Sequence, residues 1–180
     1  NNYAKIYAYA NLSQTEMTQI SYVLRITLII QLTHLSFSSF YSKSIFMDSD
    51  RGFNLRMFKQ YATLILLSGI GVVLIVLSTN FLFGFFIQIP LNIATFLFIA
   101  YIIVWCFTAY LEIYFGAMNA NRNILYNSIA AATLYLVLLK ISGNVTLFQL
   151  SVFMVVSALL NLTLVILALR RLGVLTLKRK

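Results

Sequence analysis

The most constraining feature of this chain is the run from Tyr61 to Ile87, which contains no charged residue and is mostly apolar. A helix needs about 20 predominantly apolar residues to cross the ~30 Å hydrocarbon core of a bilayer, and buried helices of soluble proteins use shorter runs. The run exceeds that length. It therefore predicts a transmembrane helix rather than a segment of a soluble domain.

The composition of the whole chain agrees with a membrane protein. Its 180 residues are 61% hydrophobic and only 9% charged, whereas soluble domains average about 25% charged residues. A net charge of +9 could indicate nucleic-acid binding. However, the basic residues gather at the ends of apolar runs, which is typical of membrane proteins. We therefore expect the lipid bilayer as a partner and no nucleic acid.

Apolar runs of sufficient length recur along the chain. They predict five complete transmembrane helices, at residues 14–46, 61–87, 91–117, 123–139 and 146–169. Residues 1–12 are interpreted as the end of a preceding helix, residues 47–60 as a surface loop, and residues 170–180 as a basic tail. The fold class is thus an all-α polytopic membrane protein. With no initiator Met and no signal-peptide pattern at its start, the chain is interpreted as an internal or C-terminal piece of a larger protein.

Basic residues in the loops predict the orientation in the membrane. One side of the predicted bundle carries only Lys5 and Lys140 outside the spans. The other side carries Lys43, Arg51, Arg56, Lys59, Arg122, Arg170, Arg171, Lys178, Arg179 and Lys180. Cytoplasmic loops are enriched in Lys and Arg. We therefore predict a cytoplasmic C-terminus.

Two polar stripes follow the first predicted helix at helical spacing. The His34 stripe consists of Thr27, Gln31, His34, Ser38 and Tyr41. The Arg25 stripe, on roughly the opposite side, consists of Thr18, Ser21, Tyr22, Arg25, Ser36, Ser39 and Lys43. A helix with two polar faces is not a lone anchor. We expect it inside a bundle with at least one face toward water or a polar ligand, and the sequence does not decide which.

Arg25 is the strongest functional signal in that helix. An arginine at the centre of a membrane helix costs about 3 kcal/mol on the insertion scale, so it is expected to face a polar cavity. Its guanidinium could bind a phosphate or carboxylate through two hydrogen bonds. The alternatives are that its side chain extends to the outer interface, or that it pairs with Glu16.

Two further residues could bind or relay an ion. His34 could relay protons, although a hydrogen bond to a neighbouring helix is an equally common role for a lone histidine. Glu112 could bind a cation or substrate hydroxyls, but a pair with Arg122 at the membrane interface is the plainer interpretation. Glu112 belongs to a polar stripe on the third helix, formed by Tyr101, Trp105, Thr108, Glu112 and Asn119.

No catalytic or cofactor motif accompanies these residues. The single cysteine, Cys106, permits no internal disulfide and no Cys-based metal site. Phosphate-binding loops, nucleophile elbows and zinc-protease signatures are absent from the sequence. We therefore predict neither an enzyme nor a cofactor or metal site.

Three stretches resemble a known family. They are LSQTEMTQISYVLRI, with Tyr22 and Arg25; NFLFGFFI, with Gly84; and GAMNANRN, with Gly116 and Arg122. Together with the helix order, they resemble the C-terminal half of polysaccharide (O-antigen type) lipid flippases, in the superfamily that also holds the multidrug and toxin exporters. The sequence departs from the family pattern near KISGNV, where a second glycine is often expected.

The resemblance implies both an architecture and an activity. The five helices would be helices eight to twelve of a twelve-helix transporter in the bacterial inner membrane, forming one lobe of two, with the N-terminal lobe missing. Such proteins carry undecaprenyl-pyrophosphate-linked oligosaccharide across the membrane by alternating access, for surface polysaccharide and lipopolysaccharide assembly. The resemblance also implies that Arg25 holds the pyrophosphate or acidic sugars, and that Tyr22, Gln31, His34 and Ser38 contact sugars.

Two other functions remain open. A cation-coupled multidrug exporter of the same superfamily should carry intramembrane carboxylates, and here only Glu112 qualifies. A membrane-embedded glycosyl polymerase should carry long outer loops with Arg and His clusters, whereas the predicted outer loops are short.

Overall fold

The computed structural model describes residues 12–47, 52–83, 92–143 and 145–175. These residues form five helices: α1, Gln14–Met47; α2, Leu55–Phe83; α3, Ile93–Ala117; α4, Arg122–Ser142; and α5, Leu147–Arg171. By length and composition, all five could cross a membrane. The predicted fold class is confirmed: the chain is an all-α polytopic membrane protein.

Four of the predicted helices agree with the structure to within three residues at each end, but the start of α2 was predicted wrongly. This helix begins at Leu55 instead of Tyr61, so the second half of the predicted loop is helical. Asn54 caps the extension, because its side-chain Oδ1 accepts a hydrogen bond from the Met57 amide at 3.1 Å. Phe58 then packs its ring near Phe107 and Tyr110 of α3. Residues 1–11, 48–51, 84–91, 144 and 176–180, with the predictions made for them, lie outside the described residues.

Glu16 caps α1 instead of pairing with Arg25. Its carboxylate accepts hydrogen bonds from the Ser13 hydroxyl at 2.7 Å and the Ser13 amide at 3.0 Å, while the Ser13 hydroxyl oxygen lies 3.4 Å from the Glu16 amide. This reciprocal arrangement is a capping box. Thr146 and Gln149 form a second one at the start of α5. The proposed pair between Arg25 and Glu16 is therefore replaced by a helix cap.

The five helices pack around α3, which contacts α5 and α1 along much of its length. α2 packs on α1 and, less extensively, on α3, while α4 packs on α5 and hardly touches α3. Near the first turns of α1 and α3, the buried Gln19 side chain donates from Nε2 to Asn92 Oδ1 at 2.7 Å and to Thr95 Oγ1 at 2.9 Å. The weak contact between α3 and α4 leaves space between them.

Gly69 allows α2 to approach α3 closely, whereas Gly71 does not have this role. A Cβ added at Gly69 would lie 2.7 Å from Cδ1 of Ile103, and one added at Gly71 would meet nothing within 4 Å. We expect Gly69→Leu to lower the free energy of unfolding by about 1–3 kcal/mol, since a larger side chain must displace Ile103. Gly71→Leu is the matched control, and thermal unfolding in detergent measures both. Equal melting temperatures for the two variants would contradict this close approach.

Candidate functional site

A cavity of about 300 Å³ occupies the space between α3, α4 and α5. The cavity exists because α4 packs on α5 and makes little contact with α3. Its walls are formed by Tyr101, Trp105 and Thr108 of α3; Ala131, Ala132, Tyr135 and Leu136 of α4; and Met154, Ser157, Ala158 and Asn161 of α5. The cavity thus lies among helices that are long and apolar enough to span the membrane.

The α3 wall of the cavity is the polar stripe seen in the sequence. Tyr101, Trp105 and Thr108 are spaced by four and three residues, so they share one helix face. Trp105 keeps 37% of its surface exposed. The Thr108 hydroxyl donates to its own helix, to the Val104 carbonyl at 3.0 Å, which leaves its oxygen lone pairs as acceptors. This stripe therefore presents two aromatic rings and a hydroxyl oxygen to the cavity.

The α5 wall adds polar groups that sequence reasoning missed. Ser157 and Asn161 lie one helical turn apart on one face of α5, and this shared face is the signal that could have revealed them. Ser157 is only 8% exposed. In the described part of the chain its Oγ has no hydrogen-bond partner, and neither does Oδ1 of Asn161. Because buried polar atoms nearly always have a partner, these two atoms are suited to bind a guest.

Glu112 lies next to the cavity and not against Arg122. It is half-buried, one helical turn beyond Thr108, and its carboxylate interacts with the Asn161 side chain. Among the described residues, no ion pair links it to Arg122, which is exposed at the start of α4. The plainer sequence interpretation of Glu112 was therefore wrong about its partner.

His34 takes part in a hydrogen-bonded chain across three helices. The buried Tyr61 hydroxyl donates to the Cys106 carbonyl at 2.8 Å and lies 2.6 Å from His34 Nδ1. Since that hydroxyl proton is used by Cys106, His34 donates from its Nδ1–H to the Tyr61 oxygen. Its ring also meets Trp105 edge-on, with centroids 5.4 Å apart. His34 thus has the interhelical hydrogen bond that was one of its two expected roles.

The structure decides which polar stripe of α1 faces inward. Thr27 and His34 are buried and Gln31, Ser38 and Tyr41 are half-buried, so the His34 stripe packs into the bundle. Most of the other stripe points away from the described helices, with five of its members exposed: Thr18, Arg25, Ser36, Ser39 and Lys43.

The five predicted substrate-binding residues do not meet at one place. Arg25 is exposed, whereas Tyr22 is half-buried with a buried hydroxyl that has no partner within the described ranges. Ser38 donates to the Leu35 carbonyl of its own helix at 3.3 Å. None of the five, Gln31 and His34 included, lines the cavity. The ring contact between His34 and Trp105 links α1 to the cavity wall.

Fold and cavity together define a multi-pass helical membrane protein with a polar, aromatic-walled cavity among its spanning helices. No family model, curated protein or solved structure matches the chain.

Proposed function

We propose that this chain is one lobe of a transporter that moves lipid-linked oligosaccharide, of the undecaprenyl-pyrophosphate type, across the bacterial inner membrane. The observation that carries the proposal is the cavity between α3, α4 and α5. Tyrosine and tryptophan rings suit the apolar faces of sugars, and hydroxyl and amide groups suit their hydroxyls. A few convergent polar groups in a mostly apolar pocket are characteristic of ligand sites.

Transport in this proposal breaks no bond. The substrate binds one of two arrangements of the lobes more tightly and thereby shifts their populations, while a gradient or the electrical potential drives the cycle. The C-terminus lies in the cytoplasm, as the distribution of basic residues predicts. The exported oligosaccharide would be used to assemble surface polysaccharide.

The exposed face of α1 supports the presence of a second lobe. Arg25 lies within the spanning helix and is exposed, with Ser36 and Ser39 further along the same face. Such a cation avoids lipid and faces protein or a water-filled space. We therefore assign Arg25 to the central space between two lobes, where it would hold the pyrophosphate, with Tyr22 beside it. The sugar-contact role implied for Gln31, His34 and Ser38 passes in this proposal to the cavity residues.

Export of surface polysaccharide tests both parts of the proposal. The complete gene, expressed in a bacterial strain that lacks its own oligosaccharide flippase, should restore surface polysaccharide and clear lipid-linked intermediates from the inner face. Arg25→Ala should abolish this export at unchanged membrane levels. Arg25→Lys should retain part of it, since a lysine keeps the charge but loses the two-point hydrogen bonding.

Arg56→Ala is the control, because it removes an arginine that lies at a helix end instead of within the span. Arg56 is exposed in the first turn of α2. This variant should export normally. Normal export by Arg25→Ala would remove Arg25 from the substrate path, and failure of a well-expressed parent with several sugar types would contradict the flippase function.

A cation-coupled multidrug exporter is the second candidate, and Glu112 is the observation that favours it. A half-buried carboxyl beside Asn161 is the type of group that couples transport to an ion. Drug-resistance profiles of the same strain distinguish the two functions. Resistance that depends on Glu112, without restored polysaccharide, would favour the exporter.

A further inference from the structure

The size of the cavity limits the part of a substrate that it can hold. Its volume of about 300 Å³ lies at the lower end of the range for small-molecule pockets. An oligosaccharide of several rings does not fit this space, whereas a single ring does. Tyr101, Trp105 and Tyr135 contribute aromatic side chains to the walls for such a ring to stack on.

The cavity has an acidic neighbour and no basic lining residue. None of its lining residues is an acid or a base of the Asp, Glu, Lys or Arg type, and the carboxyl of Glu112 next to it interacts with the side chain of the lining residue Asn161. The basic residues of α4 and α5 lie at the helix ends and are exposed: Arg122, Lys140, Arg170 and Arg171. An anion in the cavity would therefore meet a neighbouring carboxyl and no compensating cation from these two helices.

The polar wall atoms without a partner among the described residues include Asn161 Oδ1 and Ser157 Oγ. Asn161 Oδ1 can only accept a hydrogen bond, and Ser157 Oγ can accept or donate. The Thr108 hydroxyl proton is already used by its own helix. These oxygens can accept from the O–H and N–H groups of a guest, whereas a carboxylate or phosphate, which only accepts, could bond among them to the Ser157 hydroxyl alone.

From size, charge and acceptor content, we infer that the cavity binds one uncharged or amino-bearing sugar ring and discriminates against acidic sugars. This inference deepens the proposed function and rests on it. It assigns two binding roles to different parts of the molecule. The cavity recognises the sugar, and the exposed Arg25 of α1, on a different surface, is suited to bind the anionic pyrophosphate.

Trp105 provides a direct signal for binding, since it is the single tryptophan of the sequence and lines the cavity. The protein is purified in an amine-oxide detergent and placed in nanodiscs, because glucoside and maltoside detergents carry the headgroup under test. Three probes share one octyl chain and differ in charge: octyl glucoside, octyl 2-amino-2-deoxyglucoside and octyl glucuronide. Each is titrated at pH 7 below its micelle concentration. The part of the fluorescence change that disappears in Trp105→Phe belongs to the cavity.

We expect saturable changes with the glucoside and the amino sugar, and at least tenfold weaker binding of the glucuronide. Glu112→Gln should remove any preference for the amino sugar over the glucoside. It should also reduce the difference in affinity between the glucoside and the glucuronide. Ser157→Ala should weaken the binding of the sugars. Ser151→Ala is the matched control on α5, because the Ser151 hydroxyl is buried, donates to the Phe148 carbonyl and does not line the cavity.

Two results would overturn the inference. If the glucuronide binds as tightly as the glucoside or more tightly, the selection against acidic sugars is refuted. If octanol gives the same fluorescence response as the glucoside, the sugar headgroup is not recognised. Export in the complementation strain is measured separately. If export is restored and either result is found, the proposed transport function is retained and the cavity specificity is refuted. If the glycosides bind but export is not restored, only the transport function is refuted.

Discussion

Replacing Ala131 with phenylalanine is expected to reduce polysaccharide export at least tenfold while the protein stays at its normal level in the membrane. Ala131 is 9% exposed and lines the cavity. A phenyl group at this position occupies the space in which the sugar would bind. Since α4 hardly touches α3, the added ring enters existing space instead of a packed core, where overpacking would be destabilising.

The neighbouring Ala130 provides the control for this variant. It is exposed on α4 and absent from the cavity wall, so Ala130→Phe adds the same ring to the same helix without filling the cavity. Export by Ala130→Phe should match the wild type. If Ala131→Phe exports as well as Ala130→Phe at equal membrane levels, the cavity is not part of the transport path.

Tyr61→Ala is expected to have the largest effect on stability, lowering the free energy of unfolding by about 3–5 kcal/mol, as for other buried aromatic truncations. Tyr61 is fully buried, and its ring stacks on Tyr110 with centroids 4.2 Å apart. Its hydroxyl joins α2 to His34 of α1 and to Cys106 of α3. The substitution thus removes a ring and two hydrogen bonds from the contact of three helices. Reversible unfolding in mixed micelles, followed by circular dichroism, measures the loss.

Tyr61→Phe separates the two contributions. It keeps the stacked ring and leaves His34 Nδ1 and the Cys106 carbonyl without this partner, for an expected loss of about 1–3 kcal/mol. Tyr126→Ala is the control, because Tyr126 is 63% exposed on α4 and should change stability little. Equal stability of Tyr61→Phe and the wild type would mean that the hydrogen-bonded chain contributes nothing to the fold.

The spanning helices were predictable because the membrane leaves few alternatives. In hydrocarbon every backbone polar group must bond within its own segment, so a long apolar run forms a helix regardless of its neighbours. Local side-chain patterns also set several helix starts: Ser13 with Glu16 and Thr146 with Gln149 are capping boxes visible in the sequence. The start of α2 was missed because Phe58 is held by Phe107 and Tyr110, which are distant in the chain.

The candidate site was predictable only in part. Spacing alone placed Tyr101, Trp105 and Thr108 on one face of α3, and they line the cavity. Ser157 and Asn161 passed unnoticed among the apolar residues of α5, because two polar residues one turn apart have no evident role until their neighbours are known. The pairing of Glu112 with Asn161 is likewise a contact between residues far apart in sequence.

The helical class, the five apolar segments and the stripes of polar residues along them follow from the amino-acid sequence, because they depend on the solvent and on the helical repeat. The inward packing of the His34 stripe and the outward position of the Arg25 stripe depend on how the helices pack, since both stripes are polar and hydropathy does not distinguish them. The cavity, too, arises from the way α4 packs on α5 and away from α3. Its lining residues come from three helices that meet through packing rather than through any local pattern.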